Sequence, residues 1–414
     1  MVTKYDIFEF VYKYRHPIKP IEVLEKFKKR RNEYNNIHKM LTFLVNEDLI
    51  LKNNYGYQIK KSDKSNLLYQ IIFHCLKNNL SYNQLLNPSF VKFLSIAFQK
   101  NEITSSNIKL NPLIFRKYIE ILRDNQLLLV ISEKPYQIKI FFNILLNNIL
   151  VYYGYNHKVI INDSNSYLKN INKELSKFNR LKREKNIKYQ EIIEDLEIYF
   201  IHHSLSLEGN PITLSETKRI LKDDILPSNL RTKDVDEVRN YQKAYKQMLL
   251  DSIDKKPLTL QIILEYHNIA MQHAPEIAGK IRKIGVFIQG NMNFKITKKE
   301  NIEDELDKLI SEYNEFIIRK GVQINEIINF ATYLHNEFQH IHPFEDGNSR
   351  TTRLITFHLL QSKDIPIFDI PYGLLDEYLS YTKGSKIRDD KHLYYHFQKI
   401  ILWNLKKINK EFQS

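Results

Sequence analysis

A chain of 414 residues is too long for one ordinary core and divides into two or three domains. At 43% hydrophobic and 27% charged residues it is globular rather than disordered, and with only ten glycines it contains no Gly-rich phosphate loop of the P-loop or dinucleotide-binding kind. A net charge of +14 suits nucleic acid, anionic membranes or phosphorylated ligands without selecting among them, while the single cysteine, Cys75, excludes an internal disulfide and a cysteine-based metal site.

The opening segment, 1–17, mixes charge with aromatics and lacks the apolar region of a signal peptide. The longest apolar stretch, 140–153, is broken by Asn143, Asn147 and Asn148 and is too short to span a bilayer. The expectation is therefore no membrane partner and a cytoplasmic location. Scarce glycine with abundant Leu, Ile, Lys, Glu and Asn predicts a mainly α protein.

Helices are predicted over 5–14 and 20–28, and then a pattern occurs twice. Residues 37–60 and 115–139 each read as an amphipathic helix, a short polar break, an apolar strand, a turn and a second strand, and both end in Tyr-Gln-Ile-Lys. The turns fall at Asn53-Asn54-Tyr55-Gly56 and Ser132-Glu133-Lys134-Pro135. Ahead of the second copy lie a predicted helix over 90–99 and a Thr104-Ser105-Ser106 stretch suited to capping a short helix. Three helices and a hairpin resemble the winged helix, so the N-terminal part is expected to hold tandem winged-helix-like α+β modules at 1–62 and 63–155. Two roles stand side by side. One is DNA binding through Asn35, Asn36, His38 and Lys39 in the first module and Arg116 and Lys117 in the second, with Lys28, Lys29, Arg30 and Arg31 on phosphates. The other is protein–protein packing, with the charges forming a solvated face.

A polar, Asn- and Lys-rich linker helix is expected over 156–188. From Tyr189 the chain reads as successive helices, at 190–207, 213–222, 235–251, 259–271, 298–319, 324–339, 349–362 and 391–408. Thr213 with Glu216 forms a capping box. Only 286–288 and 294–296 read as strands, and together they predict a small hairpin.

Residues 342–353 read His-Pro-Phe-Glu-Asp-Gly-Asn-Ser-Arg-Thr-Thr-Arg, an imidazole, carboxylates, an amide and two arginines between two apolar helical stretches. Pro343 ends the preceding helix near His342, Gly347 permits a positive φ, and Ser349 is placed to cap the next helix. A turn leading into a helix N-terminus is an anion site, because unpaired N–H groups point outward along a favourable dipole. Arg350 and Arg353, three apart, share a helix face and suit a polyphosphate. Asp346 offers an oxygen to Mg²⁺, and His342 is the natural general base near neutral pH.

This string resembles the signature of the Fic family, His-Pro-Phe-x-[Asp/Glu]-Gly-Asn-Gly-Arg-x-x-Arg. The one departure is Ser349, which keeps the backbone N–H and adds a side chain beside the phosphates. The resemblance implies that His342 deprotonates a target hydroxyl, Asp346 binds Mg²⁺ and Asn348 holds the α-phosphate of ATP. It also implies that Gly347 and Ser349 donate backbone N–H groups, Arg350 and Arg353 hold the β- and γ-phosphates, and Phe344 is a buried anchor. Residues 279–290 resemble the Fic flap, in which Val286, Phe287 and Ile288 would clamp a target peptide by strand addition. Ser204-Leu205-Ser206-Leu207-Glu208-Gly209 resembles the inhibitory motif [Ser/Thr]-x-x-x-Glu-[Gly/Asn], in which the glutamate pairs with the last signature arginine, here Arg353. Glu237-Val238-Arg239-Asn240-Tyr241 and residues 259–267 resemble family helices ahead of the flap.

The expectation is thus a Fic helical core with a small β-hairpin flap over 189–414, acting as a protein adenylyltransferase. It would transfer AMP from ATP to a Ser, Thr or Tyr hydroxyl, be restrained by Glu208 and modify itself. Tyr378, Tyr381 and the helix at 391–403 are candidates to line the adenine pocket. The resemblance also allows a homodimer. Two alternatives stand beside it: a hydrolase that removes AMP and needs Glu208, and a DNA-binding regulator whose Fic fold senses nucleotide.

Overall fold

The computed structural model of the chain describes residues 2–14, 16–100, 102–104, 106–155, 166–227, 230–288, 291, 294–366, 369–382, 384–385 and 388–413. The contacts divide it into two compact units, Met1–Asn101 with Leu110–Ile121 and Ile144–Val159, and Glu102–Lys109 with Leu122–Asn143 and Ile160–Ser414. Residues 102–109 and 122–143, expected within the module at 63–155, group here with the C-terminal unit.

In the first unit, α1 (Lys4–Lys13), α2 (Pro20–Lys26) and α3 (Tyr34–Asn46) lead into a hairpin of β1 (Ile50–Asn53) and β2 (Gly56–Ile59). Thr3 starts α1 through a capping box with Asp6, and Pro20 occupies the first position of α2, where its missing N–H is harmless. Strand β1 runs antiparallel to β2 with Ile50 opposite Ile59, and Ile18 adds a bridge to Tyr57 on the other side. Ile7, Phe8, Val23, Leu41, Leu44 and Ile50 form the core. Then follow α4 (Asp63–Lys77), α5 (Tyr82–Leu85) and α6 (Pro88–Ala97).

Strand β3 (Ile103–Thr104) lies where Thr104 and Ser106 were expected to cap a helix. The buried side chain of Ile103 pairs into a sheet opposite Ile138, and Asn107 closes a turn on Thr104 by accepting its N–H and donating to its hydroxyl. Ser105 lies outside the described residues. Helix α7 (Pro112–Asp124) precedes β4 (Leu128–Glu133) and β5 (Tyr136–Ile140), and α8 (Ile144–Tyr152) follows. The sheet order is β3-β5-β4, all antiparallel. In the first repeat a single bridging residue, Ile18, and in the second a short strand, β3, thus pair with the second strand of the hairpin.

The C-terminal unit opens with α9 (Leu168–Glu184), within the span expected to hold a linker helix; residues 156–165 of that span lie outside the described residues. It continues with α10 (Asn186–Ser206), α11 (Leu214–Leu221), α12 (Thr232–Ile253), α13 (Leu260–Ala270), α14 (Ile302–Ile318), α15 (Ile324–Ile341), α16 (Asn348–Ser362), α17 (Leu375–Tyr381) and α18 (Asp390–Glu411). Helix α16 is central. It packs against α12, α13 and α15, and every residue from Arg350 to Leu360 is buried. Its buried threonines would be costly if unpaired, but Thr351, Thr352 and Thr356 each donate their hydroxyl to the carbonyl four residues earlier. Among the described residues no helix is long and apolar enough to cross a membrane.

The hairpin joins this unit through a close backbone contact. Gly373 donates its N–H to Gln126 O, and a Cβ at Gly373 would stand 2.7 Å from that oxygen and 2.8 Å from the Phe141 ring. A Gly373→Ala variant is expected to lose roughly 1–3 kcal/mol through this overpacking, read as a lowered thermal midpoint, whereas an unchanged midpoint would show that the contact yields cheaply.

Candidate functional site

The site is built where α15 stops and α16 starts. Helix α15 ends at Ile341, and His342 takes a left-handed conformation, φ 50° and ψ 58°, while its N–H still reaches Phe338 O at 3.0 Å. That residue is a non-glycine held at positive φ, an uncommon state that surrounding contacts must enforce. His342 Nδ1 lies 3.2 Å from Gln339 O. A carbonyl only accepts, so Nδ1 donates, and in the neutral ring Nε2 is the acceptor.

Gly347, at φ 82°, turns the chain into α16 and serves as its N-cap. Ser349, expected as the cap, therefore lies inside the first helical turn. The reason is steric: a Cβ at 347 would come 2.9 Å from both His267 Nε2 and Met271 Sδ, so only glycine turns here and the helix begins at Asn348. The first ladder bond is Thr351 N to Gly347 O, 3.0 Å, which leaves the amides of 348–350 ahead of the ladder. Gly347 N–H itself donates to Asp346 Oδ1 at 2.6 Å. The Asn348 side chain clamps the loop, accepting from Phe344 N at 2.9 Å and donating to Phe344 O at 2.8 Å. Phe344 is fully buried.

The two signature arginines are buried cations. Arg353, 1% exposed, donates from Nε to Ser204 Oγ at 2.6 Å and from Nη2 to Ser204 O and Glu208 Oε1, both at 3.0 Å. Burial works against its charge, but Glu208, Tyr241 and Tyr378 more than offset this and hold the guanidinium well above its ordinary pKa. Its Nη1 is buried and makes no further hydrogen bond of good geometry among the described residues. Arg350 donates from Nη1 to Glu237 and from Nη2 to Asp346 Oδ1, the latter at 3.1 Å. The Asp346 carboxylate is largely exposed, and among the described residues its Oδ2 receives no hydrogen bond.

Ser204 and Glu208 reach Arg353 because α10 ends between them. Its last turn closes at Leu207 N to His203 O, and Gly209 reverses the chain at φ 91°. The structure thus brings Ser204, Glu208, Arg350 and Arg353 together with the turn carrying His342, Phe344, Asp346, Gly347, Asn348 and Ser349.

The flap differs from its expectation. Neither 286–288 nor 294–296 forms a strand, and Gln289 and Gly290 lie outside the described residues. Arg282 holds this segment in place of a ladder. Its N–H donates to Pro343 O at 2.9 Å, and its guanidinium donates to the carbonyls of His342, Ile284 and Thr297 at 2.7, 3.0 and 2.5 Å. Val286 is half-buried, Phe287 is 76% exposed and Ile288 is buried. Among the described residues Val286 and Phe287 make no backbone–backbone hydrogen bond.

Sequence reasoning assigned no role to Arg282 or His267. His267, on α13, donates from Nε2 to Asp346 O at 2.9 Å, accepts Gly279 N–H at Nδ1 at 2.9 Å, and stacks on Phe344 with ring centroids 3.7 Å apart. One neutral ring thereby joins the signature loop to the start of the flap. Its only sequence signal was its position at the end of an apolar helix, which reads equally as a core histidine. Tyr378, a candidate for the adenine pocket, is buried and hydrogen-bonded to His335 Nε2 at 2.7 Å. Tyr381 stacks on His392.

Burial pushes the His267 imidazole down to about 4. The unfolded chain takes up a proton near pH 6.5 and the folded one does not until about pH 4, so stability is lost as pH falls through that window. His335 and His358, pushed down to about 3 and about 4 by burial, act in the same direction. The unfolding free energy from urea titrations is expected to fall below pH 6.5 by up to about 1.4 kcal/mol per pH unit for each histidine. His267→Gln is expected to be less stable at pH 7.5 but to show a shallower slope; an unaltered slope would mean that His267 does not titrate this way.

Residues 257–360 match the Fic/DOC family model. The chain is 29% identical over 197 residues to a protein adenylyltransferase Fic of Nematostella vectensis, covering 47% of this chain and 44% of that protein. It is 28% identical over 190 residues to one of Drosophila erecta, covering 45% and 37%. The matched region thus spans less than half the length of these relatives. The fold is similar to the crystal structure of a Fic-domain-containing signalling protein from Bacteroides thetaiotaomicron, with a TM-score of 0.53 at 22% identity over 59% of this chain and 97% of that one.

Proposed function

We propose that this chain, with its Fic/DOC domain at 257–360, is a protein adenylyltransferase that moves AMP from ATP to a Ser, Thr or Tyr hydroxyl, held in check by Glu208. The catalytic unit in this reading runs over 189–414. The observation that carries it is a single turn-plus-helix that combines a histidine of fixed tautomer, amides ahead of a helix ladder, and two buried arginines already paired with carboxylates. Such a combination suits a polyphosphate attacked at one end.

In the reaction, His342 Nε2 takes the proton of the target hydroxyl. The hydroxyl oxygen bonds to the α-phosphorus, the bond from that phosphorus to the bridging oxygen breaks, and pyrophosphate leaves. Arg350 and Arg353 hold the charge that develops on it, and the amides at the head of α16 hold the α-phosphate with Asn348. Asp346 fits Mg²⁺: it is one exposed carboxylate with an oxygen to offer, and Mg²⁺ in such sites takes one or two carboxylates with phosphate and water completing the shell. The ion, when bound, offsets phosphate charge. In this reading Val286 and Phe287 offer backbone groups to an extended target segment, a mode of low sequence specificity. The chain's own hydroxyls are covalently tethered near the site, so self-modification is expected.

Autoinhibition follows from competition. Ser204 and Glu208 occupy the guanidinium that the γ-phosphate needs, and a carboxylate and a phosphate satisfy the same donors. The hydrolase reading asks the opposite of Glu208, that it be required. Purified wild type, Glu208→Gly and Glu208→Gly/His342→Ala, given ATP labelled on the α-phosphate and Mg²⁺, separate the two. Label on the single variant, at least about tenfold above wild type and lost in the double variant, is the expected result; its absence from the single variant would sink the transferase reading.

For the first unit we propose duplex DNA as partner. Helix α3 carries no carboxylate, its exposed residues include Asn35, Asn36, Lys39, Thr42 and Asn46, and the run Lys28–Arg31 precedes it. Asn and Lys are side chains that read base edges, and basic runs contact phosphates. A mobility-shift series over salt is expected to give a duplex complex that weakens steeply with ionic strength and is lost on Lys28→Glu/Arg31→Glu; no shift at low salt on any duplex would refute it.

A further inference from the structure

Helix α12 also reaches the site, packed against α16, and nothing in the reaction as derived above uses it. Four of its contacts stand out. Glu237 pairs through Oε1 with Arg350 Nη1 and through Oε2 accepts from Asn210 Nδ2 at 2.7 Å. Tyr241, one turn on, accepts the Ser204 hydroxyl at 2.8 Å and donates to Arg350 O at 3.3 Å. The two side chains thus touch both the segment 204–210 and the first turn of α16.

Arg350 is 3% exposed, and its Nε is buried with no hydrogen-bond partner among the described residues. A guanidinium in such surroundings needs a fixed countercharge, since removing one partner of a buried pair leaves an uncompensated charge. Its two carboxylates differ. Asp346 is largely exposed, lies on the loop, and in the reading above turns to Mg²⁺. Glu237 is mostly buried, sits on a long helix, and is itself oriented by the Asn210 amide, which also donates to Asp234 O at 3.1 Å and accepts from Ile212 N at 3.0 Å. Only Glu237 can hold Arg350 both before and after nucleotide arrives.

We infer that Glu237 is the positioning residue for Arg350, setting the guanidinium at the angle that receives the β-phosphate, with Asn210 fixing Glu237 in turn. It differs in kind from Glu208. Glu208 competes with phosphate for Arg353, whereas Glu237 pairs with Arg350 and keeps it aimed. The inference rests on the nucleotide-site reading above.

The test is calorimetric titration of ATP and, separately, AMP into the Glu208→Gly protein with and without Glu237→Gln. Gln keeps the shape and removes the charge. ATP affinity is expected to fall about tenfold or more while AMP affinity stays within about twofold, because AMP has no β-phosphate for Arg350 to hold. Asn210→Ala, which leaves both charges in place, is expected to weaken ATP in the same direction by less. In the transfer assay Glu237→Gln is expected to raise the KM for ATP more than it lowers kcat. Equal losses for ATP and AMP would make Glu237 merely structural, and a gain in ATP affinity would make it a second competitor; either overturns the inference. A Glu208→Gly protein that binds neither nucleotide would instead fail the nucleotide-site reading itself, and the inference with it.

Discussion

Arg353 sits on the most buried helix of the C-terminal unit with almost no solvent contact, and a guanidinium cannot be neutralised by losing a proton at any ordinary pH. The fold around it must therefore always supply an anion and hydrogen-bond acceptors. Ser204 and Glu208 supply them here, which is why α10 ends where it does and why Gly209 reverses the chain just after. In the proposed reading the γ-phosphate is the substitute. Withdrawal of Glu208 without an incoming anion leaves a buried charge unpaired, so the inhibited and nucleotide-bound states exchange one partner for another.

The same economy of contacts extends through the site. His267 ties the signature loop to the flap with one ring, Asn348 closes the loop on Phe344 with one amide, and Glu237 with Tyr241 ties the end of α10 to the start of α16. Each of these groups is largely or wholly buried and hydrogen-bonded, so the geometry of the turn is fixed by satisfied polar pairs rather than by apolar packing alone.

Much of this was legible in the chain itself. The helices α10 to α16 and α18 fall close to the spans read from apolar periodicity, because caps and breakers such as Thr213, Pro343 and Gly347 mark their ends locally, whereas the short α17 was not read from the sequence. The signature was legible because its residues are contiguous. What escaped were contacts made across elements. Ser349 was taken for a cap because its side chain suits one, but the clash at position 347 puts the cap there, two residues sooner. The strands at 286–288 and 294–296 were inferred from β-propensity, which is set by pairing partners the sequence does not name, and Arg282 took their place. His267, Arg282 and Glu237 acquire meaning only from residues far along the chain.

Arg282 has a consequence of another kind. By gathering the carbonyls of His342, Ile284 and Thr297 on one guanidinium, it anchors both ends of the flap to the signature turn. Between those anchors Ile288 and Phe294 are buried, whereas Phe287 is 76% exposed. In the proposed reading, substitutions at an exposed position such as Phe287 can accumulate over generations and retune which polypeptides are recognised while the machinery behind it is inherited intact.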